Sequence, residues 1–282
     1  MAYETGTASN MIDLLTKLVT FASANGWTVE MDDTDVATGH KEVVLSSTGQ
    51  DGAYVINAAF RSFNTAVAGG QNIESWVGPL WLGGDWDAQT DTSGYRYICG
   101  WPNDMTYYFV VDIDTIKIVL NVDTTWRLAY YGIIDTFTSY GHWPAPLACA
   151  ADTGTKETLY YDQSTEVTNL LAYYSAGAAA RIYEPLRLWR SVNMSWPGNS
   201  PDNVWERSRR SANTGDIQMI PIIAIDTAYG SAFGNYRGIY ATTGDDYQAG
   251  ALFDDPDMTT KFLLVNNIFR TDRNDFCIVE LS

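Results

Sequence analysis

Histidine is the side chain that most often serves as the base beside a serine or cysteine nucleophile, and this chain has two, His40 and His142. His40 lies in a polar turn before an expected strand, and His142 in the aromatic run Tyr140-Gly141-His142-Trp143-Pro144. No GxSxG elbow accompanies them, so both are read as packed or solvated side chains. Three cysteines, Cys99, Cys149 and Cys277, stand far apart with no CxxC. That spacing does not make a zinc set with two scattered histidines, and the thiols are expected reduced and partly buried. The phosphate-loop and dinucleotide patterns are absent. No catalytic residue, cofactor or metal is therefore assigned.

Carboxylates are plentiful, and glycoside hydrolysis needs only two of them. With 34 acidic residues, chance pairs are inevitable, so a pair alone is not a reaction centre. Gly84-Asp85-Trp86-Asp87 would suit a sugar-stacking platform, which leaves passive carbohydrate binding open. Asp85, Asp87 and Asp91 before Gly94, and Asp254, Asp255 and Asp257 around Pro256, supply oxygens of the kind calcium takes. Neither run has the EF-hand spacing with a closing glutamate, and solvated acidic loops are the expectation. Trp76, Trp81 and Trp86 are interleaved with Gly78, Gly83 and Gly84. Three indoles there would expose a large apolar area unless this chain or a neighbour covers them.

The bulk numbers bound the answer further. At 282 residues with 46% hydrophobic and 18% charged residues, the chain can bury a substantial core and is not disordered. A net charge of −17 argues against a groove for the phosphate backbone of nucleic acid and against adhesion to anionic lipid. One basic cluster stands out: Arg181, Arg187, Arg190, Arg207, Arg209 and Arg210, near Trp189, Trp196 and Trp205. It suits an acidic partner or another copy of this acidic chain, or else a solvated, internally paired face. No basic n-region with an apolar h-region is visible at the start, and no run approaches 18 apolar residues. Synthesis and folding in the cytosol are the expectation.

The elements that must hold these residues are mostly strands. Met11, Leu14, Leu15, Leu18, Val19 and Ala22 form one apolar stripe at helical spacing, with Asn10 as cap and Gly26 as terminator. A helix over Asn10 to Asn25 follows. Trp27 to Met31 reads as a strand, Glu42 to Ser47 and Ala53 to Phe63 as a hairpin, and Tyr95 to Trp101 as a further strand. Thr65 to Gln71 reads as a flexible connection. Tyr107 to Phe137 carries three alternating runs with short polar breaks, a β-meander with one face on a core and the other in solvent. Ser139 to Thr155 reads as a long ordered loop, Glu166 to Ala180 as a helix and Pro185 to Asn213 as irregular. Met219 to Ile225, Gly238 to Ala241, Lys261 to Phe269 and Asp275 to Leu281 read as strands. The fold class is α+β, mainly antiparallel β sheets with an N-terminal amphipathic helix. A composition shift suggests a helix-plus-sheet domain over 1–140 and a second β-rich domain with irregular loops over 141–282, or one unit.

Several soft patterns of packing residues carry a resemblance. They are Tyr3-Glu4-Thr5-Gly6-Thr7-Ala8, Asp13-Leu14-Leu15 with Lys17-Leu18, Gly26-Trp27-Thr28, Tyr107-Tyr108-Phe109, Trp126, Tyr131-Gly132, Pro144-Ala145-Pro146-Leu147, Arg237-Gly238-Ile239-Tyr240 and Phe262 to Thr271. Together they resemble virion structural proteins of tailed bacteriophages, of the kind found in tails and baseplates. The resemblance implies a non-enzymatic subunit of a contractile tail or baseplate, made in the cytoplasm of an infected bacterium and incorporated into the virion. Its partners would be other copies of itself, in a homo-oligomeric ring, and other tail or baseplate proteins. It would not bind nucleic acid by sequence and would not enter membranes. Trp76, Trp81, Trp86, Arg187, Arg190, Trp196, Trp205, Arg207, Arg209 and Arg210 are the expected partner-contact residues. Removing Val192 to Asn213 is expected to leave a folded monomer that fails to assemble. The alternatives are a receptor-binding carbohydrate module using exposed tryptophans, and a head-to-tail connector or capsid decoration protein.

Overall fold

A computed structural model describes residues 1–35, 38–50, 52, 54–64, 71–137, 145–152, 180–194, 219–226, 231–242, 248–255, 257, 259–266 and 276–282. The elements in chain order are β1 (Ala2–Ala8), α1 (Met11–Ala24), β2 (Thr28–Thr34), β3 (Lys41–Ser47), β4 (Ile56–Asn64), β5 (Gln71–Gly78), a 3-10 turn (Trp86–Ala88), β6 (Arg96–Gly100), β7 (Met105–Val111), β8 (Thr115–Val122) and β9 (Thr125–Ile133). They continue with β10 (Asp135–Thr136), β11 (Leu147–Ala150), β12 (Ala180–Tyr183), β13 (Trp189–Met194), β14 (Ile220–Asp226), β15 (Ser231–Thr242), β16 (Leu252–Asp254), β17 (Lys261–Asn266) and β18 (Phe276–Glu280). The fold is mostly antiparallel β sheet with one helix near the N-terminus.

The helix forms for the reasons its sequence gives. Asn10 Oδ1 accepts from Asp13 N at 2.9 Å, and Asp13 reaches back to Ser9 N at 2.9 Å, so two otherwise orphaned donors are satisfied. Asp13 also meets Lys17 one turn on, at 2.7 Å. Gly26 ends the helix with φ +96, a conformation that a β-carbon resists. Met11, Leu14, Leu15, Leu18 and Ala22 are buried, and Val19 packs on the same cluster half-covered.

β2 to β6 pair in sequence order as a five-stranded sheet, and β1, β7, β8 and β9 begin a larger one that continues through β11, β12, β13, β14, β15, β18, β17 and β16. The helix and the five-stranded sheet cover one face of the meander. Leu14 and Leu18, Val43, Phe60 and Ile73, and Phe109, Ile116 and Ile118 share that core. The later strands cover the other face, where Val110, Val119, Leu128 and Tyr130 meet Ile222, Tyr236, Ile239, Leu263 and Cys277. The meander thus has no solvent face, which corrects the expectation of one. Its apolar residues on both alternating sets are the mark of a doubly covered strand.

Other expectations shift with it. Leu147–Ala150, inside the expected loop, is a strand paired to β9, and Trp189–Met194, inside the expected irregular stretch, is a strand paired to β12 and β14. Val192 is buried there, so excising Val192 to Asn213 would cut a core strand. The expected helix over Glu166 to Ala180 lies outside the described residues except for Ala180, which begins β12. Thr65 to Gly70 also lie outside them. The place where the sequence suggests a domain boundary falls between β9 and β11, neighbours in one sheet.

Where the two sheets meet, the seam is polar. Arg127 and Asp152, both fully covered, pair at 3.2 Å. Asp152 also accepts from Cys99 N at 3.0 Å, and its own N–H donates to Tyr97 O at 2.9 Å. Burial holds the Asp152 carboxyl above its ordinary range, and Arg127 opposes that.

Candidate functional site

The expected contact residues begin with three tryptophans. Trp76 sits on β5, on the sheet face turned away from the helix, and packs with Val44, Ala59 and Trp86. The chain then leaves β5 in a loop over residues 79–95 that folds back across this face. Asp85 opens the 3-10 turn by accepting from Asp87 N at 2.9 Å. Gln89 ties the loop to itself, accepting from Leu82 N at 3.0 Å and donating to Asp85 O at 2.8 Å. Ser93 returns the chain to the sheet, its N–H donating to Val77 O at 2.8 Å.

Arg61 on β4 is the clamp. Its guanidinium lies 4.1 Å from the Trp86 ring centroid, and it pairs with Glu42 at 3.3 Å, Glu74 at 2.5 Å and Asp87 at 2.8 Å. Burial would lower its pKa, but the bonds to Asp87 and Glu74 raise it instead. Tyr95 also stacks on Trp86, at 5.4 Å, and donates to Asp87 at 2.9 Å. Burial, then that bond, push the Tyr95 phenol up to about 12. Trp76 and Trp86 are consequently buried by this chain, and Trp81 is half-covered against Trp76 at 6.2 Å. Of the two covers that the sequence leaves open, this chain itself supplies the one over Trp76 and Trp86, and a partner or a sugar could reach them only by lifting the loop.

The loop is joined to a second region through Asp91. Tyr183 at the end of β12 donates to Asp91 Oδ2 at 2.7 Å, and Trp189 at the start of β13 donates from Nε1 to Asp91 O at 3.0 Å. Asp91 adopts φ 59 to present both acceptors. Tyr183 and Trp189 face each other across the β12–β13 hairpin, whose turn, residues 184–188, is closed by Glu184 N to Leu188 O at 3.0 Å and Arg187 N to Glu184 O at 2.9 Å. Two expected residues sit here. Arg190 is paired with Glu184 at 2.9 Å, and Arg187 stands exposed at φ 62. Trp196, Trp205, Arg207, Arg209 and Arg210 lie outside the described residues, as does His142.

This corner carries what the sequence reading passed over. Leu186 is 74% exposed, Leu188 and Leu82 59%, and Leu80 47%. A loop and a turn tied together through Asp91 thus each carry two leucines exposed to water, with Arg187 between the second pair. A signal was there: Leu186 and Leu188 flank an arginine between two aromatic residues, where a plain hairpin turn would carry polar side chains.

The other chemistry-bearing residues do not converge. His40 packs its ring on Phe63 at 5.1 Å. All three cysteines are buried and not disulfide-bonded. Burial pushes the Cys149 thiol up to about 11 and the Cys277 thiol well up, so neither is a thiolate at neutral pH. Asp85, Asp87 and Asp91 serve three different partners, and among the described residues no group of three His, Cys, Asp or Glu could hold a metal. Asp255 accepts from Thr259 and Thr260, which closes its own loop.

No protein-family model matches the chain, and no curated protein matches it.

Proposed function

We propose that this chain is a structural subunit of a tailed bacteriophage particle, placed in the contractile tail or baseplate, that works by docking to its neighbours and performs no reaction. The observation that carries the reading is two pairs of exposed leucines, Leu80 and Leu82 on the loop and Leu186 and Leu188 on the hairpin turn, carried by segments that Asp91 ties together. Grouped apolar side chains in water mark a contact surface. Holding them on hydrogen-bonded turns lowers the conformational entropy lost on docking. Repeated copies would bring this corner against a different surface of the next subunit, the head-to-tail geometry that closes rings.

The sheet edges support the same reading. Among the described residues β2 is paired on one side only, to β3, and carries Glu30, Asp32 and Asp33 on an exposed strand. Charges on an edge strand discourage uncontrolled strand addition between copies. A subunit that must stay apart until it meets its proper neighbour needs that protection, and the net charge of −17 adds to it.

The test is a double variant, Leu186→Asp with Leu188→Asp, expressed with the other virion proteins. Expected are an unchanged circular dichroism spectrum and loss of the chain from purified particles. Equal recovery of variant and parent in the particles, or absence of the parent from every particle fraction, sinks the proposal.

A further inference from the structure

The turn at residues 112–114, the start of β1, the end of α1 and Arg237 on β15 surround an open cleft of about 580 Å³. Met1 forms part of its wall and is 46% exposed. Behind Met1 lies Lys117 on β8, with no exposed surface at all. Its Nζ donates to Met1 Sδ at 3.4 Å, and this thioether, a weak acceptor, is its one hydrogen-bond partner among the described residues. A buried lysine ordinarily holds a carboxylate. Here the charged groups that face the amine stand beyond ion-pair distance: Asp112 in the turn, Asp135 on β10 and Glu280 on β18, with Arg237 opposing them.

The fold makes room for this amine. A β-carbon on Gly238 would stand 2.5 Å from Nζ, and Gly238 has φ +61, so no other residue fits there without strain. Burial, the largest influence, pushes the amine down to about 8, against the pull of Asp112 and Glu280. Roughly a tenth of it is then neutral and nucleophilic at pH 7. The cleft's other charges are spoken for: Arg237 bonds Asp114 and Asp135, each at 2.5 Å. Arg237 is the one side-chain cation among the lining residues and is already committed, and Asp112 adds a negative charge at the rim, so the cleft's side chains favour an uncharged ligand.

We propose that Lys117 is a reactive amine behind the Met1 wall of this cleft, screened from it by that side chain, that takes small uncharged aldehydes and ketones as imines. The neutral amine adds its lone pair to the carbonyl carbon and forms a C–N bond. The carbonyl oxygen leaves as water with the two amine protons, and a C=N bond remains. The site stands independently of the assembly reading, since it uses none of the corner residues.

The probe is propionaldehyde with cyanoborohydride, whose hydride reduces the imine to a stable secondary amine, followed by peptide mass mapping of the whole chain at pH 7. The competing amines are few, namely Lys17, Lys41, Lys156, Lys261 and the α-amine at the start of the chain, and the peptide map separates each from Lys117. With Met1 removed by an aminopeptidase, Lys117 is expected to be alkylated roughly ten-fold faster than the exposed Lys261. With Met1 in place the Lys117 rate is expected to fall while that of Lys261 stays the same. A Lys117 rate at or below that of Lys261 in the Met1-free chain overturns the site. An identical Lys117 rate with and without Met1 overturns the screen. Both measurements use the native residue, so neither depends on whether Lys117→Arg folds.

Discussion

The loop over β5 and the β12–β13 turn are neighbours pinned to one aspartate, yet they treat apolar surface in opposite ways. The first buries two tryptophans with the help of Arg61 from β4; the second leaves two leucines in water. The tryptophans have the composition of a contact surface, and aromatics and arginine are enriched at such surfaces. Here the same residue types have already found each other within the chain. Composition ranks residues by what they could do, whereas burial decides what is left for a partner.

The sharpest way to break that contrast is to remove the covered side. Trp86→Ala deletes a fully buried indole beneath Arg61 and should cost about 3–5 kcal/mol of unfolding free energy, read from urea denaturation. If the loop were a mobile cover over a binding platform, the loss would be under about 1 kcal/mol, as at an ordinary surface position. Arg61→Met tests the clamp from the other side. It leaves Glu74, with 3% of its side chain exposed, without its cation, so a loss of about 3 kcal/mol is expected. Retained stability with an unchanged melting curve would mean that the three carboxylates do not need Arg61.

How much of this could be read from the sequence follows from the range of the interactions. The helix was legible because its stripe, cap and terminator lie within one short segment. The meander's strands were legible through alternation, but its double covering was not drawn from it. Val110, Val119 and Leu128 show that the second set of positions is apolar too, the pattern of a strand enclosed on both sides. The fate of Trp86 depends on the register that places Arg61 opposite Glu74 and on a loop folding back over both, and neither is encoded locally. β11 and β13 were missed because each is short and flanked by prolines or small residues, and pairing across the sheet overrides weak local preference. The leucine corner needed a contact between Asp91 and Trp189, 98 positions apart in the chain.

Arg61 and Lys117 extend the comparison from apolar surface to buried charge. Arg61 has three carboxylates and keeps its proton firmly; Lys117 has a thioether and sits at about 8. A folded-state value below the ordinary 10.5 means that the unfolded chain binds more protons between pH 8 and 10.5. Stability from this group therefore rises with pH across that window and is flat below it. Relative to Lys117→Met, the parent should be about 3 kcal/mol less stable at pH 7, with the gap closing towards pH 10. Urea melts of both proteins at pH 7, 8, 9 and 10 measure it. Parallel curves would show that the amine is solvated in the folded protein and not sealed behind Met1.

The smallest stability effect belongs to the open side of the corner, and its smallness is the point. Leu186→Ala and Leu188→Ala remove side chains that already lie in water, so each should move the unfolding free energy by no more than about 0.5 kcal/mol. The hydrogen bonds that shape the turn run through Glu184, Arg187 and Leu188 backbone atoms and survive truncation. If the corner is a docking surface, the same two changes should weaken association with a neighbouring subunit by roughly ten-fold or more each, because contact residues at the centre of an interface dominate its energy. Sedimentation equilibrium of parent and variants separates the two quantities. A matched loss of stability and association would mean that the leucines are packed in the free chain, and the contrast between the covered and the open region would collapse. Unchanged stability together with unchanged association would leave the leucines exposed to no purpose and would move the search for the contact to the strand edges, with β2 first.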